Sequence, residues 1–152
     1  MFEIVEDDLS GEQTRALLAL HLAGMQANSP PESVQALDLA GLRAPGITVW
    51  TVRRNGNVAA VGALRDLGAG HGELKSMRTH PSWLRQGAGA LLLDHVIAVA
   101  RARGWMRLSL ETGTGPAFEP ALALYRKRGF VDGNAFGSYE RSPFNQFLHL
   151  QL

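Results

Sequence analysis

The most informative stretch of this sequence is "WLRQGAGALLLDHVIAVARARG", residues 83–104. Gly87 and Gly89 open a long apolar run with helical spacing, and Gly104 closes it. A helix N-terminus carries unpaired N–H groups and a partial positive charge, so it attracts phosphate. Two glycines there would let an anion approach the backbone, although small residues also let a helix pack closely on a sheet. The spacing differs from that of a nucleoside triphosphate loop or a dinucleotide fingerprint.

Alternating and helical patterns on both sides of this stretch predict an α/β (α+β) protein. Strands are expected at residues 2–5, 47–54, 58–67, 70–80, 106–112, 130–132 and 145–152. Helices are expected at residues 10–25, 34–42, 87–103 and 119–128, the first with Ser10 as its N-cap. This order predicts a mixed sheet of about six to seven strands with helices on its faces. No linker divides residues 1–152, so we expect a single domain.

Composition excludes several classes of function. The 152 residues carry a net charge of only +1, which gives no electrostatic argument for a nucleic-acid or membrane partner. The chain has no cysteine, and its five histidines show no metal-ligand spacing, so no metal site is expected. The N-terminus lacks the layout of a signal peptide, and no apolar stretch reaches the roughly 20 residues of a membrane helix. We therefore expect a cytoplasmic protein, with a homodimer left open.

Two motifs in this order of parts resemble those of the GNAT superfamily, the Gcn5-related N-acetyltransferases. The family signature Gln/Arg-x-x-Gly-x-Gly/Ala falls on residues 84–89, with Leu84 in place of the usual Gln or Arg. The second mark, Ala-x-x-Leu-Tyr-x-x-x-Gly-Phe, falls on residues 121–130 without departure, and Phe118 stands where an Asn is often found. The resemblance covers nearly the whole chain and is closest to a bacterial subgroup of small acetyltransferases, mostly of unknown substrate.

The resemblance implies acetyl-CoA as the cofactor and a GNAT fold with a splay between the fourth and fifth strands. The loop from Arg85 to Ala90 is then expected to wrap the pyrophosphate, while backbone groups of residues 77–79 pair with the pantetheine arm. The cofactor-binding residues that it implies are Met77, Arg78, Thr79, Leu84, Arg85, Gln86, Gly87, Ala88, Gly89, Ala90, Phe118, Ala121, Leu124, Tyr125 and Lys127.

Acetyl transfer to an amine needs a base, donors to the developing oxyanion and an acid for the departing thiolate. Tyr125 is the candidate acid, unless its ring only packs against the sheet. Glu73 matches the strand-four glutamate that some relatives use as base. Alternation places Glu73 on one face with Lys75, Met77 and Thr79, and Lys75 would lower the pKa of Glu73. Glu111 is the competing base, unless it pairs with Arg107, and many relatives use a water chain; the N–H near Met77 is the expected oxyanion donor.

In this fold the acceptor is bound by the first two helices and the loop between the last strands, here residues 21–37 and 132–145. The candidate substrate-binding residues are Asn28, Ser29, Pro30, His80, Tyr139 and Arg141. The expected function is transfer of an acetyl group from acetyl-CoA to a primary amine of a small molecule. A protein N-terminus or lysine as acceptor stays open, as does a noncatalytic acyl-CoA-binding sensor, and a nucleotide binder is the weaker third alternative.

Overall fold

The computed structural model describes residues 1–31 and 38–152. Within these residues seven strands form one mixed sheet in the order β1-β2-β3-β4-β5-β7-β6. The strands are β1 (Glu3–Glu6), β2 (Ile47–Arg54), β3 (Asn57–Asp66), β4 (His71–Thr79), β5 (Arg107–Gly113), β6 (Val131–Asp132) and β7 (Asn145–Gln151). The helices are α1 (Glu12–Asn28), α2 (Leu39–Leu42), α3 (Ala88–Ala102) and α4 (Glu119–Lys127).

This element order is the predicted one, but the N-cap of α1 differs from the prediction. Ser10 does not cap α1, because Gly11 occupies the N-cap position and the Ser10 hydroxyl donates instead to Asp8 Oδ1 at 2.6 Å. The helix predicted at residues 34–42 is described only from Leu39 onward, and its first part lies outside the described residues. In the part of the chain that the structure describes, no helix is long and apolar enough to cross a membrane.

The two faces of the sheet are covered by different helices. On one face α3 buries Leu92, Leu93 and Val96 against apolar side chains of the central strands. On the other face Leu17 and Leu18 of α1 pack in a second, smaller cluster. Each such side chain contributes about 1.5–3 kcal/mol when it is fully removed from water, so both helices are firmly held to the sheet.

The fourth and fifth strands separate after a short parallel ladder. β4 and β5 are paired at His71, Gly72 and Glu73 with residues 107–109, and both strands then continue beyond that ladder. Over the same length β4 stays paired with β3, and β5 with β7. The sheet therefore opens between β4 and β5, which is the predicted splay.

A bulge in β4 lies beside this opening. Lys75 is opposite Ala63 and Arg78 is opposite Val61, so two residues of β4 face the single residue Gly62. Ser76 adopts φ +58°, a left-handed conformation that residues other than glycine seldom adopt. The bulge reverses the side on which the following β4 side chains lie.

The predicted sharing of one face by Glu73, Lys75, Met77 and Thr79 is therefore wrong. Met77 packs over Gly62 together with Leu92 of α3, and Thr79 lies beside Gly89 at the start of that helix. Glu73 and Lys75 lie on the α1 side. Strict alternation fails because the extra residue in the bulge shifts the side-chain period by one.

Candidate active site

Two cavities meet where the sheet opens. The first, which we call the α1-side cavity, has a volume of about 290 Å³ and lies between α1, β4, β5 and the start of α4. The second, the α3-side cavity, has a volume of about 370 Å³ and extends along β4 to Gly89. The residues that line both are Met77, Arg78, Ala117, Ala121 and Tyr125. This arrangement gives one elongated site with two ends.

The start of α3 has a backbone that suits a bulky anionic ligand. Gly87 is the N-cap and adopts φ +90°, a conformation that favours glycine, and a Cβ there would meet nothing within 4 Å. Arg85, two residues earlier, is also left-handed with φ +61°. A Cβ on Gly89 would lie 3.1 Å from Thr79 Oγ1, which is a tight contact. Glycine is thus favoured at position 87 by its positive φ and at position 89 by the close approach of Thr79. The result is a loop without side chains at these two positions, at the end of the α3-side cavity.

The edge of β4 offers backbone groups to the same cavity. Met77, Arg78 and Thr79 line the α3-side cavity beyond the last pair of the β4–β5 ladder. Within the described residues no strand pairs with this part of β4 on the β5 side. An extended ligand can add to such an edge as another strand would. The loop at the start of α3 thus suits an anionic group, and the free edge of β4 suits an extended chain.

Glu73 is held in a hydrogen-bonded cluster. It is 2% exposed, and its Oε2 accepts from Lys75 Nζ at 3.2 Å and from the Tyr139 hydroxyl in a shorter contact. Lys75 also donates to the Tyr139 oxygen at 2.7 Å. Burial and the neighbouring Glu73 raise the pKa of Tyr139, so the phenol keeps its proton. Both donors contact the same carboxylate oxygen, Oε2, so the cluster fixes the orientation of the Glu73 side chain.

Glu111 has the surroundings of a base. Its carboxyl lines the α1-side cavity from β5, and burial raises its pKa to about 7, with Lys75 and Asn145 opposing the shift. Among the described residues Glu111 forms no ion pair with Arg107, which was the alternative. Arg107 Nε instead donates to Ser109 Oγ at 3.3 Å. A carboxyl group that titrates near neutrality is well suited to accept a proton from an amine.

Tyr125 stands at the junction of the two cavities. The residue is 7% exposed, and its ring packs at 5.7 Å from the ring of Phe130. Burial raises the pKa of the phenol, so the hydroxyl stays protonated and able to donate. Packing against the core and donation at the site are therefore compatible for this residue.

The other predicted cofactor residues divide into two groups. Leu84, Ala121 and Leu124 line the α3-side cavity, whereas Phe118 is buried and lines the α1-side cavity. The remaining ones belong to the loop at the start of α3 or to the end of α4 and line neither cavity: Arg85, Gln86, Gly87, Ala88, Ala90 and Lys127. Loop residues can still contact a pyrophosphate through main-chain N–H groups.

The predicted acceptor residues are only partly brought together. Asn28 lines the α1-side cavity, and Tyr139 joins the Glu73 cluster. His80 instead caps a short turn, its Nδ1 accepting from Ser82 N at 3.0 Å, and Arg141 donates to the carbonyl of Gly133 within its own loop. Ser29 and Pro30 follow the end of α1 and do not line either cavity, and residues 32–37 of the predicted acceptor region lie outside the described residues.

Among the residues that line the α1-side cavity but were not candidate site residues by sequence are His21, Gly24 and Ser76. Burial, followed by the charge of Arg78, lowers the pKa of His21 to about 4, so its imidazole is neutral. Gly24 sits inside α1, where glycine costs about 1 kcal/mol relative to alanine, and this was a readable signal of a close approach. Ser76 owes its position to the bulge, for which the sequence carries no clear signal.

Comparisons with known proteins agree with this geometry. Residues 14–130 match the model of the Acetyltransferase (GNAT) family. The chain is 47% identical over 152 residues to the uncharacterized N-acetyltransferase YedL of Escherichia coli (strain K12), covering all of this chain and 96% of the relative. It is 45% identical over 146 residues to the uncharacterized N-acetyltransferase YsnE of Bacillus subtilis (strain 168), and the match covers 96% of this chain and 97% of the relative. A structure from Klebsiella pneumoniae, provisionally named an acyl-CoA N-acyltransferase, superposes with a TM-score of 0.84 at 29% identity, covering 100% and 98%.

The class of protein follows from the fold, the site and these relatives. A split mixed sheet, a bare helix start and a cavity that crosses the split define an acyltransferase that uses acetyl-CoA. The chain belongs to the acetyltransferase (GNAT) family.

Proposed function

We propose that this protein acetylates the primary amine of a small molecule, with Glu111 as general base and Tyr125 as general acid. The observation that carries the proposal is that both side chains line the α1-side cavity, and Tyr125 also reaches the α3-side cavity. A volume of about 290 Å³ lies near the lower end of the range for small-molecule pockets. An acceptor of metabolite size fits this cavity better than a folded protein surface does.

The α3-side cavity and the loop beside it are assigned to the coenzyme. Main-chain groups of residues 77–79 and the bare loop at residues 85–90 would hold the pantetheine arm and the pyrophosphate. Leu84, Ala121 and Leu124 supply apolar walls between them. Acetyl-CoA, when bound, supplies an acetyl group activated as a thioester.

The proposed chemistry moves two protons through this chain's side chains. Glu111 takes one proton from the acceptor ammonium, and the neutral nitrogen then forms the new bond to the acetyl carbon. As the carbon–sulfur bond breaks, the nitrogen releases a second proton to solvent. Tyr125 gives its proton to the departing sulfur, and solvent returns both groups to their starting states. The main-chain N–H of Met77, displaced from the regular ladder by the bulge, is assigned as donor to the acetyl carbonyl oxygen.

Thiol release from acetyl-CoA with a panel of amines and peptides tests the proposal. Glu111→Gln keeps the shape of the side chain and removes the base, so we expect kcat/KM to fall by about 10²–10⁴-fold. Glu119→Gln is the matched control, because Glu119 is exposed in the first turn of α4 and lines neither cavity. Tyr125→Phe should lower kcat with little change in acetyl-CoA affinity. Full activity in Glu111→Gln would remove the base assignment, and full activity in Tyr125→Phe would remove the acid assignment.

The same assay separates the alternatives. A noncatalytic acyl-CoA sensor would bind acetyl-CoA and be stabilised by it but release no thiol with any acceptor. A protein acetyltransferase would release thiol with peptides and not with free amines. Either outcome would replace the small-molecule proposal.

A further inference from the structure

We propose that the acceptor amine also carries a carboxylate, as an amino acid does, and that the Arg78 guanidinium binds that carboxylate. This inference rests on the proposed function, since it names the substrate class for the same cavity. It assigns to the Arg78 side chain a role different from that of its backbone, which faces the coenzyme.

The bulge in β4 places the Arg78 side chain on the α1 side of the sheet. Its two terminal nitrogens lie 2.9 and 3.1 Å from the point where a Cβ on Gly24 would stand. The guanidinium therefore rests against bare helix backbone, in a space that any side chain at position 24 would fill. Arg78 is half-buried and lines the α1-side cavity together with His21 and Asn28.

The charged groups around the cavity leave the Arg78 cation without an ion-pair partner among the described residues. The charges of Glu73 and Lys75 offset each other at 3.2 Å. His21 is neutral, because burial and the Arg78 charge both oppose its protonation. Among the described residues Arg78 has no carboxylate partner, whereas Arg53, Arg126 and Arg128 each pair with an aspartate. The cavity therefore has the Arg78 cation on its α1 side and the Glu111 carboxyl on its β5 side.

This arrangement is complementary to a zwitterion. The ammonium of an amino acid can approach Glu111 and give up its proton there, while its carboxylate takes two parallel hydrogen bonds from the planar guanidinium. Two further polar atoms of the same cavity wall, His21 Nδ1 and Ser76 Oγ, are buried without a hydrogen-bond partner in the described part of the chain. A simple amine would leave the Arg78 cation unpaired, so the carboxylate should contribute to recognition.

The competing role for this side chain is binding of the coenzyme, because Arg78 also lines the α3-side cavity. Matched acceptor pairs separate the two roles. Suitable pairs are leucine with 3-methylbutylamine and phenylalanine with phenethylamine, which differ only in the carboxylate. The ratio of kcat/KM within each pair cancels any effect that a variant has on the coenzyme.

We expect the wild-type protein to prefer the amino acid in at least one pair by about 10- to 100-fold. Arg78→Met should abolish that preference, mainly through the KM of the amino acid, and Arg78→Lys should retain part of it. Arg101→Met is the control, because Arg101 is exposed in the last turn of α3 and should leave the ratio unchanged. Equal losses for both members of each pair in Arg78→Met, or no preference in the wild type, would overturn the inference.

Failure of the proposed function would be visible separately. If no amine releases thiol, calorimetric binding of the same pairs to the protein saturated with coenzyme A replaces the kinetic ratio. Tighter binding of the amino acid that is lost in Arg78→Met supports the carboxylate site even then. Absence of any difference in binding within the pairs overturns it.

Discussion

The Glu111→Gln variant should be more stable than the wild type at alkaline pH, although it lacks the proposed base. Burial raises the pKa of Glu111 to about 7 in the folded protein, against an ordinary value of 4.5 for a glutamate. The folded state therefore holds this proton more tightly than the unfolded state does. The stability that the protonated carboxyl confers is fully present below the lower pKa and is lost as the pH rises through the upper one.

The size of the effect follows from the two pKa values. The difference between these two pKa values corresponds to roughly 3 kcal/mol at full ionisation, most of which is lost between roughly pH 5 and pH 8. Glutamine has no charge to desolvate, so the variant should not lose this amount. Because other groups also titrate in this range, the informative quantity is the difference between the two proteins at each pH.

Urea denaturation of both proteins across this pH range measures the difference. At each pH we subtract the free energy of unfolding of the wild type from that of Glu111→Gln. We expect this difference to be larger at pH 8 than at pH 5 by roughly 2–3 kcal/mol. Glu119→Gln should follow the wild type, because Glu119 is exposed. Parallel pH profiles for the wild type and Glu111→Gln would refute the reasoning, and so would a kcat/KM that does not rise as the pH passes through about 7.

Two further substitutions test the loop and the cluster. Gly87→Ala and Gly104→Ala both place alanine at a positive φ with open space around the Cβ. Each should therefore lower the free energy of unfolding by about 1–2 kcal/mol. Only Gly87→Ala should weaken acetyl-CoA binding. Equal acetyl-CoA affinities in titration calorimetry would contradict the role given to the loop. Tyr139→Phe removes the hydroxyl that bridges Lys75 and Glu73 and should cost about 1–3 kcal/mol in chemical denaturation. A loss below about 0.5 kcal/mol would mean that the Tyr139 hydroxyl does not stabilise the cluster.

The fold could be predicted because its signals are local. Periodicity marked each strand, and Gly104 and Gly129 marked helix ends at positive φ. Asn55 and Gly56 both adopt positive φ in the β2–β3 hairpin, which is what an Asn-Gly pair between two strands predicts. These signals involve residues that are close in sequence, so they can be recognised without knowledge of the tertiary structure.

The α1-side cavity was harder to predict because it depends on contacts between distant residues. Tyr139 meets Glu73 across 66 positions of sequence, and Arg78 meets Gly24 only because the bulge turns it toward α1. Arg141 had the right chemistry for a carboxylate clamp but is held within its own loop. Residue type suggested candidate residues, while the register of β3 on β4 decides which of them line the α1-side cavity.

The bulge in β4 explains how one strand can serve both ends of the site. Without the extra residue, Met77 would follow Glu73 and Lys75 onto the α1 side and Arg78 would lie against α3. With it, the cluster around Glu73 and the Arg78 guanidinium share the α1-side cavity, while Met77 and Thr79 pack toward α3. In the proposed function, the strained left-handed conformation of Ser76 is what separates the acceptor side of β4 from its coenzyme side. The same displacement shifts the pairing of β4 with β3 at the point where the two cavities meet, which is where the proposed function requires the acetyl group to be held.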